Sequence, residues 1–423
     1  MAEADAVRTT PRPPPLSILG RATTAADGYP LSLAGAIAAA ALAPAYVVRW
    51  HIGLYPTTAL EAAILATLAA FLYESVRLGR WPVLRSAVSI AAVVLLLAGA
   101  ISVLDAPARI AALGIYRAYF IEPILMAVVL VTVVRTRRQA YYVLLGLLAG
   151  ATVLALANST VVIRAMLDHT FRPQPPPVAI YLVSNAIALF LLPVAAVTAA
   201  IAIHHRKDRF RFVFALFAAV IAVSVVLSFS RGGWAALVVV AAALALSTRL
   251  RWPLLAVVAA TALAVSRVPL IAEHLAPMFQ LGPSQTFDSR VPLWKASLKM
   301  LEANPLLGAG LSGFQQRTKV YDGSLNVTYP HNLFLNFWSE TGLLGLAAFL
   351  AIFVAAAAVS WLGWRSGSVE WRPLHLGVLL ALAAIFVHGM VDVPYFKNDL
   401  SLEFWLLVGL TLAGRRAAQA RPG

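Results

Sequence analysis

Runs of apolar residues, each about long enough to cross a lipid bilayer, recur from one end of this chain to the other. A membrane-spanning helix needs about 20 largely apolar residues. Twelve segments approach that pattern: Leu31–Val48, Thr57–Tyr73, Ser86–Val103, Ile115–Val134, Tyr141–Ala157, Ala179–Ile203, Phe212–Phe229, Trp234–Ser247, Pro253–Val265, Leu333–Ser360, Leu376–Val391 and Leu400–Leu412. The eighth, ninth and twelfth are short enough for one of them to be re-entrant. Hydrophobic residues make up 61% of the chain and charged residues 12%, against roughly 45–50% and 25% in soluble domains. One water-soluble core cannot hide that much apolar surface. The expected fold is therefore an all-α polytopic integral membrane protein of about 12 transmembrane helices. A soluble enzyme and a conventional nucleic-acid-binding domain are excluded. With no cysteine, so are disulfides, thiolate metal sites and thiol catalysis.

Orientation follows from the basic residues, which favour cytoplasmic loops. With both termini cytoplasmic, twenty of the 33 Lys and Arg residues fall inside. The net charge of +15 then divides into +14 inside and +1 outside. The positive charge is thus explained by topology without an anionic macromolecular partner. Residues 1–30 are polar, contain Pro11-Arg12-Pro13-Pro14-Pro15 and lack a signal-peptide core, so they read as a disordered cytoplasmic tail. Residues 31–413 form a single transmembrane domain, 414–423 a cytoplasmic tail, and 266–332 a long extracytoplasmic loop between helices 9 and 10.

Ionisable residues inside spans are costly and usually functional. Here Glu61, Arg117, Glu122, Asn185, Glu340, His388, Asp392 and Glu403 all lie near the outer ends of their spans, while the inner halves are nearly pure Ala, Leu and Val. A transport path needs polarity to the midplane; a cavity that opens outward does not. The long loop also contains Val291–Leu301, where Leu293, Trp294, Ala296, Leu298 and Leu301 oppose Lys295 and Lys299, the pattern of a helix lying in the membrane interface.

Three stretches meet this outer face. In Ser228-Phe229-Ser230-Arg231-Gly232-Gly233-Trp234, between spans seven and eight, Arg231 can grip phosphate in bidentate fashion, and the two glycines allow close approach of backbone to a ligand. A snorkelling arginine is the plain alternative. In Asp288-Ser289-Arg290-Val291-Pro292-Leu293-Trp294, Arg290 is a second phosphate ligand or the partner of Asp288. The third stretch opens span ten. His331 stands at the membrane entrance, and Asn332, Asn336 and roughly Glu340 share one helical face below it.

These stretches resemble the O-antigen ligase/polymerase superfamily. The resemblance rests on Arg-Gly-Gly-Trp at 231–234, Asp-Ser-Arg-x-x-Leu-Trp at 288–294, Asn304-Pro305-Leu306-Leu307-Gly308-x-Gly310, and His-Asn-x-x-Leu-x-x-x-x-Glu-x-Gly-x-x-Gly at 331–345. It covers roughly residues 180–400. It implies a metal-independent, cofactor-free glycosyltransferase of the bacterial cytoplasmic membrane. Such an enzyme moves a glycan from an undecaprenyl-diphosphate carrier to an acceptor hydroxyl, on a glycan or lipid-linked acceptor, at the extracytoplasmic face. His331 is then the base, and Arg231 and Arg290 hold the diphosphate. Glu340, Asn332, Asn336, Arg117, Glu122, His388 and Asp392 are second-tier cavity residues. Glu340 is expected to support span ten rather than to act directly. Ligation, polymerisation and transfer to protein share these motifs. A secondary transporter or flippase is the non-enzyme alternative, disfavoured by the apolar midplane and the lack of an internal repeat.

Overall fold

The computed structural model describes residues 28–53, 55–82, 86–173, 175–205, 210–279, 290–323 and 326–419. Each of the twelve apolar runs coincides with helix. In chain order, α1 is Pro30–Ala41, α2 Ala59–Leu78 and α3 Ala87–Asp105. The fourth run is α4 (Arg109–Tyr116) and α5 (Glu122–Val133), joined by a π-helical turn, Arg117–Ile121. Then come α6 (Arg137–Leu167), α7 (Ser184–His204), α8 (Phe210–Leu227), α9 (Arg231–Leu246) and α10 (Arg251–Ser266). The long loop holds α11 (Pro269–Phe279), α12 (Arg290–Ala303) and α13 (Phe314–Thr318). The last three runs are α14 (Leu333–Ser366), α15 (Arg372–Gly389) and α16 (Asn398–Gln419).

Seven of these are long and apolar enough to cross a membrane: α2, α3, α4 with α5, α6, α7, α14 and α15. An eighth is formed if α10 and α11, bent by 87° at the break between them, make one broken span. Helices α1, α8 and α9 are apolar but shorter. The structure is thus all-α and membrane-type. One departure is a two-stranded antiparallel hairpin, β1 (Arg49–Ile52) and β2 (Tyr55–Thr58), between the first two helices. Residues 1–27 of the expected N-terminal tail lie outside the described residues.

Helix α7 is the hub. It is apolar on every side, nearly all of its central residues are buried, and it packs on α6, α8, α9 and α15. An all-round apolar helix belongs inside a bundle. Helices α2 and α3 bury far less of themselves and stand at the periphery. Local signals set several helix starts. Thr136 and Gln139 form a reciprocal capping box at α6, and Ser230 caps α9 by accepting from the Gly233 N–H.

The tenth run is not one continuous helix, as its hydropathy suggests. Gly342 sits at φ 68°, ψ −178° and breaks α14 about nine residues in. That left-handed φ favours glycine. The break orphans backbone groups, which must be paired elsewhere, and the Asn304–Gly310 segment pairs them. Leu343 N–H donates to the Leu306 carbonyl (3.1 Å), and Ala309 N–H donates to the Ser339 carbonyl (2.6 Å). Ser102 of α3 donates its hydroxyl to the Glu340 carbonyl. Two of the sequence motifs are therefore halves of one device: a broken helix and the loop that mends it.

The loop has its own small core, Leu293, Met300, Leu301, Ala309 and Phe314, flanked by Val327, Leu335 and Trp338. The apolar face of α12 is occupied by this core, whereas the sequence pattern assigned it to lipid; only Leu298 of that face is substantially exposed. Arg317 fastens the loop to the end of α3 by donating to the Asp105 carboxylate and carbonyl, both at 2.8 Å.

Candidate active site

Three stretches, far apart in sequence, help to line a cavity of about 370 Å³, and one more, bearing His331, stands at its margin. The first is the start of α9. Arg231 is its first helical residue, and it lines the cavity with Phe229, Ser230 and Gly232. The two glycines also serve helix packing. A Cβ at Gly232 would lie 2.8 Å from the His388 ring, and one at Gly233 would lie 2.7 Å from Ala188 on α7. The start of α9, which bears Arg231, thereby packs closely on α7 and α15.

The second is α12, which begins at Arg290. Trp294, four residues on and so on the same helical face, donates its indole N–H to the Pro330 carbonyl at 2.9 Å. That bond ties the helix bearing Arg290 to the residue preceding His331, and Arg290 reaches the cavity wall. The Arg-x-x-x-Trp spacing is thus a reach and an anchor. Asp288, the alternative partner of Arg290, lies outside the described residues.

The third is the entrance of α14. His331 holds a left-handed φ of 50°. Next to it, Asn332 caps the helix, its side-chain oxygen accepting from Phe334 N–H (3.1 Å) and Leu335 N–H (3.0 Å). The Asn332 amide donates to the Met390 carbonyl at 2.9 Å, which pins this entrance to the end of α15. The Tyr329 ring lies 4.6 Å from the His331 ring.

The fourth is the segment after α15, with Asp392 at its centre. Asp392 is almost fully buried, and its carboxylate accepts from Asn185 Nδ2 (2.9 Å), the Val393 N–H (2.9 Å) and His331 Nδ1 (3.4 Å). Burial pushes this carboxyl up. The hydrogen bond and charge of His331, with His388 and Arg290 nearby, outweigh that and hold it at about 2. Burial likewise pulls the Arg290 guanidinium below its ordinary value, against Asp392 and Tyr329. It pushes the Tyr329 hydroxyl up to about 12, so that residue stays neutral.

A carboxylate only accepts, so neutral His331 carries its proton on Nδ1 and presents a bare Nε2. His331 is 30% exposed and stands beside the cavity rather than in its wall, with Asp392 joining the two. The cavity wall itself carries two guanidiniums and one carboxylate, and that carboxylate is already engaged. Among the described residues neither arginine has an ion-pair partner, and Arg231 Nε is buried without a hydrogen bond. Among the described residues, then, positive charge exceeds negative charge in this wall, which suits an anion.

The other expected residues divide. His388 lines the cavity, with Nε2 3.4 Å from the Ser230 hydroxyl and Nδ1 unpartnered. Asn336 is buried lower on α14 with its side-chain oxygen unpartnered. Glu340 accepts from the Ser312 N–H and so shapes the mending loop. Arg117 and Glu122 do not join this group; Arg117 pairs with Glu61 and lies against Glu122. Asn185 on α7, one of the outer-end polar residues, lines the cavity too, and the structure adds residues that the sequence reading missed: Pro173, Pro175 and Pro176, and His274 on α11. His274 is packed on the Phe229 and Trp234 rings and contacts the Phe229 carbonyl through Nε2 at 3.0 Å. Its only signal in sequence is a histidine inside an apolar stretch.

Residues 216–350 match the family model described as O-antigen ligase. The matched segment is about a third of the chain and includes Arg231, Arg290, His331, Glu340 and Gly342; it stops short of His388 and Asp392. Over that segment the resemblance carried by the motifs is shown. No curated protein matches the chain.

Proposed function

We propose, starting from an O-antigen ligase-like segment set in a helical membrane protein, that this chain is an inverting membrane glycosyltransferase of the O-antigen ligase type. It transfers a glycan from an undecaprenyl-diphosphate carrier to an acceptor hydroxyl. About twelve helical runs span the bacterial cytoplasmic membrane, both termini are cytoplasmic, and the cavity faces outward. The observation that carries this reading is the cavity's surplus of guanidinium, with a tautomer-fixed histidine at its edge.

The residues divide the labour. Arg231 and Arg290 bind the donor diphosphate inside the cavity. His331 receives the acceptor from the cavity's margin, so donor and acceptor arrive from different sides. The acceptor oxygen attacks the anomeric carbon while its proton passes to His331 Nε2. The bond from that carbon to the diphosphate oxygen breaks, and the electron pair leaves with the diphosphate. The two guanidiniums stabilise the growing charge, so the leaving group needs neither a strong general acid nor a metal. Asp392 is a positioning residue: it holds His331 Nδ1–H and steadies the imidazolium.

The test is transfer from a purified lipid-diphosphate glycan by the protein in liposomes, comparing wild type with His331→Ala at matched folded amounts. Full activity in the variant overturns the base assignment. Activity that is lost with EDTA and restored by a divalent ion overturns the metal-independent reaction. Deleting the gene and profiling surface glycan tests the acceptor class. Intact chains left on the carrier support ligation; loss of chain length overturns it in favour of polymerisation.

A further inference from the structure

A second cavity, of about 710 Å³, lies at the opposite end of the bundle. It is a groove between α3, α5, α14 and α16, with walls such as Leu96, Val128 and Ala358. Its mouth is marked by Ser86 at the start of α3 and by Arg415 and Arg416 near the end of α16. At its deep end lies Trp405, which is buried and hydrogen-bonded to the Tyr395 hydroxyl at 3.0 Å. From Arg415 to Trp405 is ten residues of helix, about 15 Å at 1.5 Å per residue. That depth is half a bilayer's hydrocarbon core of about 30 Å.

We infer that this groove holds one acyl chain of an anionic glycerophospholipid from the cytoplasmic leaflet, with the phosphate on Arg415 and Arg416. Depth selects the chain: the groove takes a single leaflet's tail. Charge selects the headgroup. Among the described residues no acid lines the groove, and both arginines are exposed at its mouth. Arg416 donates from Nη1 to the Val131 carbonyl at 3.2 Å, which holds its guanidinium over the end of α5. Basic residues at a cytoplasmic boundary attract anionic lipid. The inference uses the proposed orientation to name the leaflet but is independent of glycan transfer.

The test uses the full chain purified in detergent and offered equal phosphatidylglycerol and phosphatidylcholine of identical chains, with retained lipid counted by native mass spectrometry. Wild type is expected to retain phosphatidylglycerol about tenfold better. Arg415→Gln with Arg416→Gln is expected to bring the two lipids to parity. Ala358→Trp, at an exposed position on the wall, is expected to remove the adduct; Leu96→Trp from the opposite wall does the same should the first variant misfold. Equal retention by wild type, preference intact in the double variant, or adducts intact in both tryptophan variants overturns the proposal. So does a two-chain mass that the tryptophan variants abolish, which means that a second copy fills the groove. No turnover is measured, so failure here leaves the transferase reading untouched, and failure of transfer leaves lipid binding untouched.

Discussion

Two polar clusters share the helix ends near the loop, and they differ in what is left over. In one, Arg117 pairs with the Glu61 carboxylate, lies 3.2 Å from Glu122 Oε1, and covers the Tyr55 ring at 4.7 Å. The Glu122 contact is electrostatic rather than an aligned hydrogen bond, for both of its carboxylate oxygens lack a hydrogen-bond partner. That cation is nevertheless answered in place, twice. In the other, Arg231 and Arg290 face a cavity whose single carboxylate, Asp392, is already committed to Asn185, His331 and Val393. Both clusters are legible as rare polar residues in apolar runs. Among the described residues, the second leaves two guanidiniums without an ion-pair partner beside an open volume. Polarity in a membrane segment marks importance; unpaired charge next to space marks a ligand.

The comparison breaks first at His331. Its replacement by Ala is expected to lower the transfer rate by about 10²–10⁴, the range for a general base, with donor binding retained because the arginines are untouched. Kinetics in liposomes, with donor affinity measured separately, check the split. Next, Arg231→Ala and Arg290→Ala are each expected to cost about 10²–10³ in rate, the scale of losing one preorganised charge partner. Arg290→Lys is expected to recover little, since one ammonium cannot replace a bidentate fork. Lysine restoring full activity would show that the cavity needs only a point charge.

Asp392 sharpens the boundary between reacting and supporting groups. Asp392→Asn is expected to reduce transfer by about 10–100-fold. That is less than where a carboxylate grips a catalytic histidine tightly, because the contact here is 3.4 Å. A pH effect accompanies it. The carboxyl is held at about 2 in the folded protein, against 3.8 ordinarily. A depressed carboxyl stabilises the fold above its unfolded value and loses that contribution as pH falls through its folded one. The gap in thermal stability between wild type and D392N is therefore expected to be present near pH 4–5 and to close toward pH 2. Unfolding followed in detergent across that window measures it, and a gap unchanged with pH would mean that Asp392 acts through packing alone.

The helices were legible because a bilayer-length apolar run has few structural options, and the arginine and histidine motifs were legible as chemistry. What joins them was not. Asp392 and His331 are 61 residues apart, and Asn185 and Asp392 are 207 apart, so periodicity cannot pair them. Hydropathy does not register backbone dihedrals. The break at Gly342 and the 87° bend between α10 and α11 are invisible to it, although the first explains why a glycine-containing segment some 35 residues upstream packs against α14. The face of α12 misled for a related reason: an amphipathic pattern reports that one side is covered, not whether lipid or protein covers it.

The smallest expected effect on chemistry comes from the cluster that resolves itself. Arg117→Ala leaves Glu61, 2% exposed, as a buried carboxylate without its cation. Breaking such a pair costs about 3–5 kcal/mol because the charge left behind is uncompensated. Transfer per folded molecule is expected to stay within about twofold, since nothing in the cavity wall is altered and only a group acting in the transition state changes the rate. Combining it with Glu61→Gln removes the stranded charge, so the double variant is expected to melt above the single one. If instead Arg117→Ala abolished transfer while the protein stayed folded, the two clusters would be one functional unit. The distinction between answered and unanswered charge would then fail as a guide to where this protein binds its substrate.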